Sequence, residues 1–156
     1  MAVGSWQLAV GSWQRKQKAN YVIEGYKRSF MGSFKDLTIF KKAFANAMEI
    51  FAVSKTFPVE EKYSLTDQIR RSSRSVCSNI AEAYRKRQYP AHFVSKLSDS
   101  DAENAETEVW LSFAVSCGYI NNETFDRLSK NCEEIGKMSY HMINYPEKYL
   151  SNKTII

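Results

Sequence analysis

Two histidines, three cysteines and a run of carboxylates are the residues with which this chain could do chemistry. A carboxylate-bridged metal pair held between helices needs Glu-x-x-His on two helices and a Glu from each of two others. The residues three before His92 and His141 are Tyr89 and Met138, so that motif is absent. Asp99, Asp101, Glu103, Glu106 and Glu108 offer hard oxygen ligands, but their spacing is not that of a calcium-binding loop. They fit a solvated or ion-paired helix face. Cys77, Cys117 and Cys132 are odd in number and lack a CxxC pair, which argues against a disulfide framework or a zinc site. Cys132 falls on an apolar helical stripe as a buried free thiol, and free thiols imply a reducing cytoplasm. The chain has no GxSxG, no cysteine with a locally placed histidine and no glycine-rich phosphate loop. The expectation is a protein without catalytic residues, metal or cofactor.

The informative feature is a split of charge. Residues 62–96 hold eight basic residues (Lys62, Arg70, Arg71, Arg74, Arg85, Lys86, Arg87, Lys96) against Asp67 and Glu82, a net +6. Residues 97–134 hold Arg127 and Lys130 against nine acids, a net −7. Two readings stay open. In one, Arg70, Arg71, Arg74, Arg85, Lys86 and Arg87 form an arginine-rich stripe that grips nucleic-acid phosphates, RNA or DNA. In the other, the basic segment pairs with the acidic one, within the protomer or across a subunit boundary. Gln68, Arg71, Ser75, Asn79, Glu82, Glu103 and Glu106 are the candidate contacts, with Arg70 and Arg71 meeting Glu103 and Glu106 of a neighbour.

These residues must be positioned by helices. The first is expected from about Lys35 to Lys55, with Ser33 and Asp36 as a near capping box. Leu37, Phe40, Phe44, Ala47, Met48 and Phe51 then form its buried face at steps of three and four. Phe57-Pro58 ends the segment, because proline pushes its predecessor out of the α region. A second helix is expected from Glu60 or Ser64 to Arg87, with Ser64 and Asp67 again spaced three apart. Its core stripe reads Leu65, Ile69, Val76, Ile80 and Tyr84, with Ser72, Ser73 and Ala83 between. Beside it runs a polar stripe of Gln68, Arg71, Ser75, Ser78 and Glu82, small enough for another helix to approach. The third helix spans Pro90 to Cys117, with proline in its first turn and Gly118 as a left-handed cap. Its apolar surface is Phe93, Leu97, Ala105, Val109, Trp110, Phe113 and Ala114, around a polar middle. Asn121 or Asn122 caps the fourth, whose ladder is Phe125, Leu128, Cys132, Ile135, Ser139 and Met142, ended by Pro146. Short connections make neighbours antiparallel, so the fold class is all-α, an up-down-up-down antiparallel four-helix bundle over residues 34–145.

The chain has 156 residues, 44% of them apolar, enough for one core. No run approaches the roughly 20 apolar residues of a membrane-spanning helix. The first apolar stretch, broken by Gly4, Ser5, Gln7, Gly11 and Ser12, does not read as a secretory signal. Residues 1–33 look foreign to the bundle. Ala2-Val3-Gly4-Ser5-Trp6-Gln7 recurs as Ala9-Val10-Gly11-Ser12-Trp13-Gln14, and two glycine-bearing copies are too few to form a coiled coil. A disordered or loosely attached extension is expected there, with Met31 as the natural start, and a tail over 146–156. Of the formal charge of +5, residues 1–33 carry five basic residues against one acid, or +4. The body is therefore nearly neutral, and charge distribution, not its sum, decides what it binds.

Phe34-Lys35-Asp36-Leu37, then Phe57-Pro58 with Glu61, open a resemblance. It is strongest in Leu65-Thr66-x-Gln68-Ile69-Arg70-Arg71-x-x-x-Ser75-x-x-x-Asn79-Ile80-Ala81-Glu82. This pattern resembles the proteins encoded in intervening sequences of bacterial 23S rRNA genes, once labelled ribosomal. The accessory variability proteins of diversity-generating retroelements are similar. The Glu106-Thr107 step of the third helix matches as well, while the small-residue step before it is altered. The resemblance implies a four-helix bundle that forms a closed ring, typically a homopentamer. For the rRNA-encoded branch it implies no enzymatic activity. For the retroelement branch it implies nucleic acid and a reverse transcriptase as partners.

Overall fold

Among the described residues, four α-helices follow one another: α1 (Thr38–Val53), α2 (Leu65–Arg85), α3 (Pro90–Ser116) and α4 (Asn122–Asn144). The computed structural model describes residues 32–151. The repeat, the expected start at Met31 and the last residues of the tail lie outside that range. Sequential helices pack antiparallel, α3 against both α2 and α4, and α1 closes the ring against α2 and α4. The up-down-up-down bundle is therefore the observed architecture, as short connections require. At 1.5 Å per residue the 27 residues of α3 extend about 40 Å. The chain does not end its packing at Pro146: a 3₁₀ turn at Pro146–Lys148 brings Tyr149 and Leu150 back onto the core.

The core is two apolar clusters separated by a polar waist. One holds Ile39, Val76, Ile80, Phe93, Leu97, Ile135 and Met142, the other Ile50, Phe57, Leu65, Ile69, Leu111, Leu128 and Cys132. Between them Asn46, Ser72, Ser73, Ser100, Asn104 and Thr107 are buried. Each finds a partner, as buried polar groups must. Ser100 donates to the Val76 carbonyl (3.1 Å) and Asn104 to that of Cys132 (2.9 Å). Thr107 Oγ1 donates to the Glu103 carbonyl and meets Ser72 Oγ, both at 2.9 Å. The polar middle of α3 is thus partly core, and these side chains cross-link three helices in place of apolar packing.

Two helix faces differ from expectation. The buried face of α1 is Ile39, Ala43, Asn46, Ala47 and Ile50, not the aromatic stripe. Phe44 and Met48 are 53% and 50% exposed, and Phe40 and Phe51 half-buried. Small Ala43 and Ala47 let α1 approach the bundle, and the large side chains are left on its flank. In α3, Ala105, Val109 and Phe113 face outward, and Ser100, Asn104, Thr107 and Leu111 take the inner positions. The stripes of α2 and α4 lie where the 3.6-residue period places them, with Phe125 half-buried.

The caps divide in the same way. Gly118 sits at φ 75°, with Tyr119 N–H on the Ala114 carbonyl (2.9 Å) and Gly118 N–H on that of Val115 (3.0 Å). That is the Schellman arrangement, which glycine adopts without Cβ strain. Asn121 accepts the Thr124 N–H (2.8 Å) as the cap of α4. The Ser64 side chain does not cap α2. The helix α1 starts at Thr38 after a 3₁₀ turn at Phe34–Asp36, and Leu37 at its N-cap supplies no side-chain acceptor. At α2 the Ser64 hydroxyl donates to Glu61, and the Glu61 carboxylate accepts the Leu65 N–H (3.3 Å).

Candidate nucleic-acid interface

The helix α2 has two flanks, and its arginines divide between them. Arg70 and Arg74, one turn apart, point to the α1 side. The buried Ser54 Oγ accepts Arg70 Nε (2.7 Å) and itself donates to the Phe51 carbonyl (3.1 Å). This holds the Arg70 guanidinium 5.1 Å from the Phe51 ring centroid, with that of Arg74 at 5.5 Å. Lys55, in the 3₁₀ turn Ser54–Thr56 after α1, places its Nζ 4.7 Å from the same centroid. Sequence reasoning missed Lys55; its position four residues after Phe51 was the signal. Among the described residues no carboxylate lies within 4.0 Å of any of these three cations. Asp67 is exposed one turn before Arg70.

Arg71 lies on the other flank, toward α3. Burial raises the Glu103 carboxyl above its usual range and repulsion from Glu106 adds to this, while the Arg71 charge works in the opposite direction. Gln68, Ser75 and Asn79 are half-buried on this side. The ion pair joining α2 to α3 runs opposite to the overall charge split: Lys96 of α3 reaches Glu82 of α2 (3.1 Å) and Asp99 (3.2 Å). Asn79 Oδ1 also accepts from Lys96 (3.4 Å). Glu106 accepts the Trp110 indole N–H (3.0 Å). Within the chain, the α2 arginines form no ion pair with the acids of α3 among the described residues.

Arg85, Lys86 and Arg87 stand in three different environments. Arg85 is exposed in the last turn of α2, and Lys86 is the half-buried C-cap residue. Arg87 folds back, donating Nε–H to the Tyr84 carbonyl (2.9 Å) with its guanidinium 3.5 Å from the Tyr84 ring centroid. It is engaged in closing the helix end.

The remaining chemical groups are dispersed. His141 Nδ1 meets the Tyr149 hydroxyl at 2.8 Å, and His92 stands edge-on to Tyr89. Burial pushes the Cys77 thiol up to about 11 and that of Cys132 to about 12, so both stay protonated and unreactive at neutral pH. Among the described residues no group of three or more His, Cys, Asp or Glu is placed to hold a metal ion, and no helix is long and apolar enough to cross a membrane.

No curated protein matches the chain. Among solved structures, a protein of unknown function from the S23 ribosomal protein family of Bacteroides thetaiotaomicron VPI-5482 is 32% identical, with a TM-score of 0.64. The similarity covers 70% of this chain and 98% of that one. Residues 35–141, from the turn before α1 to the last turn of α4, match the family described as 23S rRNA-intervening sequence protein. With bundle, second-helix pattern and family match in agreement, the chain belongs to the 23S rRNA-intervening sequence protein family.

Proposed function

We propose that this protein is a non-enzymatic, homo-oligomeric cytoplasmic bundle that binds nucleic acid, RNA in the first instance, through the flank between α1 and α2. The observation that carries this reading is the convergence of Lys55, Arg70 and Arg74 on one aromatic ring with no carboxylate of the described residues within 4.0 Å. Like charges held together repel, and a phosphate among them removes that repulsion. Arginine's planar fork suits phosphate oxygens. Arg85 lies three helical turns beyond Arg74 on the same flank, so the charges form a row suited to a polymer backbone.

Arg71 favours a second role. Its charge acts on Glu103 across the flank that also carries Gln68, Ser75, Asn79 and Glu82. Pairing there with a neighbouring subunit would assemble the closed ring, a pentamer by the family resemblance. A protein-interaction scaffold built from such pairs is the alternative, and it draws on Arg71 rather than Arg70 or Arg74. The kinship with retroelement accessory proteins, and with it a reverse-transcriptase partner, rests on the second-helix residues alone.

Filter binding to a structured RNA over a range of salt concentrations tests the reading. Arg74→Glu is expected to weaken binding about tenfold and to reduce the slope of log K against log salt by about 1. Arg87→Ala, whose side chain closes the helix end, is expected to change affinity less than about twofold. Affinity and slope unaltered by Arg74→Glu would overturn the assignment.

A further inference from the structure

The cationic cluster lies at one end of an apolar stripe whose Phe44 and Met48 stand outside the core of the described residues. Along α1, exposed Lys41, Phe44 and Met48 lead at steps of three and four to the Phe51–Lys55 turn, over about 21 Å. Phe44 and Met48 are half exposed. Phe40, packed against the core, backs Phe44 with their rings nearly parallel, 21° apart at a centroid distance of 6.1 Å. One side of the Phe44 ring is therefore supported from within, and much of the residue remains open to solvent. Beside this stripe, the matching face of α2 carries Arg70 and Arg74, then half-buried Cys77 and Ala81.

Resting on the nucleic-acid reading, we propose that this face takes unpaired rather than duplex nucleic acid. Bases stack on Phe44 and pack on Met48 while Lys55, Arg70 and Arg74 hold the phosphates. Single-stranded nucleic acid offers an apolar base face and a charged backbone side by side, and binding surfaces for it combine aromatic platforms with cationic tracks. This face has that combination. A duplex keeps its bases stacked inside and presents sugar and phosphate, which have no use for exposed phenylalanine and methionine. Charge complementarity thus selects a polyanion, and the aromatic stripe selects its single-stranded form.

Fluorescence anisotropy on the full-length protein tests this with three probes of one sequence and about a dozen nucleotides: a single-stranded RNA, its duplex, and a strand carrying abasic sites. Phe44→Ala is expected to weaken single-strand binding about tenfold and duplex binding less than about twofold, whereas Phe44→Tyr retains it. Abasic sites should cost the wild type a similar factor and cost Phe44→Ala nothing further. Circular dichroism checks that the variant folds, which an exposed site permits. Suppose instead that abasic sites and Phe44→Ala leave affinity unchanged while Arg74→Glu still lowers it. The face is then a phosphate surface only: the inference fails and the proposed function stands. Failure of the wild type to bind any of the probes overturns both. A Phe44→Ala protein whose mass in light scattering falls below that of the wild type would make the stripe a subunit contact and overturn the inference.

Discussion

Glu61 accepts the Ser64 hydroxyl, the Leu65 N–H (3.3 Å) and the Tyr119 hydroxyl (3.1 Å). It thereby satisfies an orphan amide at the start of α2 and ties that end to the turn between α3 and α4. The hydrogen bond from Ser64, with those from Leu65 and Tyr119, holds its carboxyl below the usual carboxylate value of 4.5. A depressed folded-state pKa stabilises the protein at pH above the unfolded value, and that stabilisation is lost as pH falls from 4.5 through the folded value. Glu61→Gln is therefore expected to lower the melting temperature at neutral pH, with the gap from wild type narrowing below pH 4.5. Asp101, Glu103 and Glu108 shift the other way, raised chiefly by burial, so they oppose Glu61 in the acid profile of the whole protein. The difference between wild type and variant isolates Glu61. Thermal melts showing the same gap in acid as at neutral pH would assign its effect to shape rather than charge.

At the scale of elements, α1 separates bulk from burial. Ile50 has no exposed surface and packs in the second apolar cluster, whereas Phe44 is half exposed. Ile50→Ala is accordingly expected to cost about 2–5 kcal/mol in urea unfolding, and Phe44→Ala less than about 1 kcal/mol, although phenylalanine is the larger residue. Equal losses would return Phe44 to the core. The same pair explains what the sequence could disclose. On α2 and α4 one apolar stripe stands against a polar surface, and periodicity alone finds the inner face. On α1 two stripes compete, Ile39-Ala43-Ile50 and Phe40-Phe44-Met48-Phe51, and hydrophobicity favours the wrong one. The choice is made by interhelical distance, which is a property of the packed bundle. On α3 the inward Ser100, Asn104 and Thr107 are polar, and their partners Val76, Cys132 and Ser72 lie on other helices. The arginines were legible as a basic segment. Their division between two flanks follows from Ser54 and Phe51, which reach Arg70 across 16 and 19 positions of sequence, and so it appears only in three dimensions.

For the molecule as a whole, the proposed reading makes assembly and ligand binding separable, one on each flank of α2. One subunit offers a short row of cations on the α1 flank. A closed ring, as proposed, would offer several copies at fixed spacing, so that a long strand engaging one subunit would meet the next at high effective concentration. Affinity for long RNA would then depend on both flanks, and affinity for a short strand on the α1 flank alone. Arg71→Glu places a third carboxylate beside Glu103 and Glu106, where the native charge works against the raised Glu103 carboxyl. It is expected to lower the oligomer mass measured by light scattering and to weaken binding to a long RNA by about a hundredfold, the scale of lost avidity. Binding to an oligonucleotide spanning the α1 flank of one subunit should change less than about threefold, the loss of one distant charge under screening. Arg74→Glu should do the reverse, leaving the mass intact and weakening both ligands. If Arg71→Glu weakens short and long strands equally with no change of mass, Arg71 belongs to the nucleic-acid face and the two flanks are one surface.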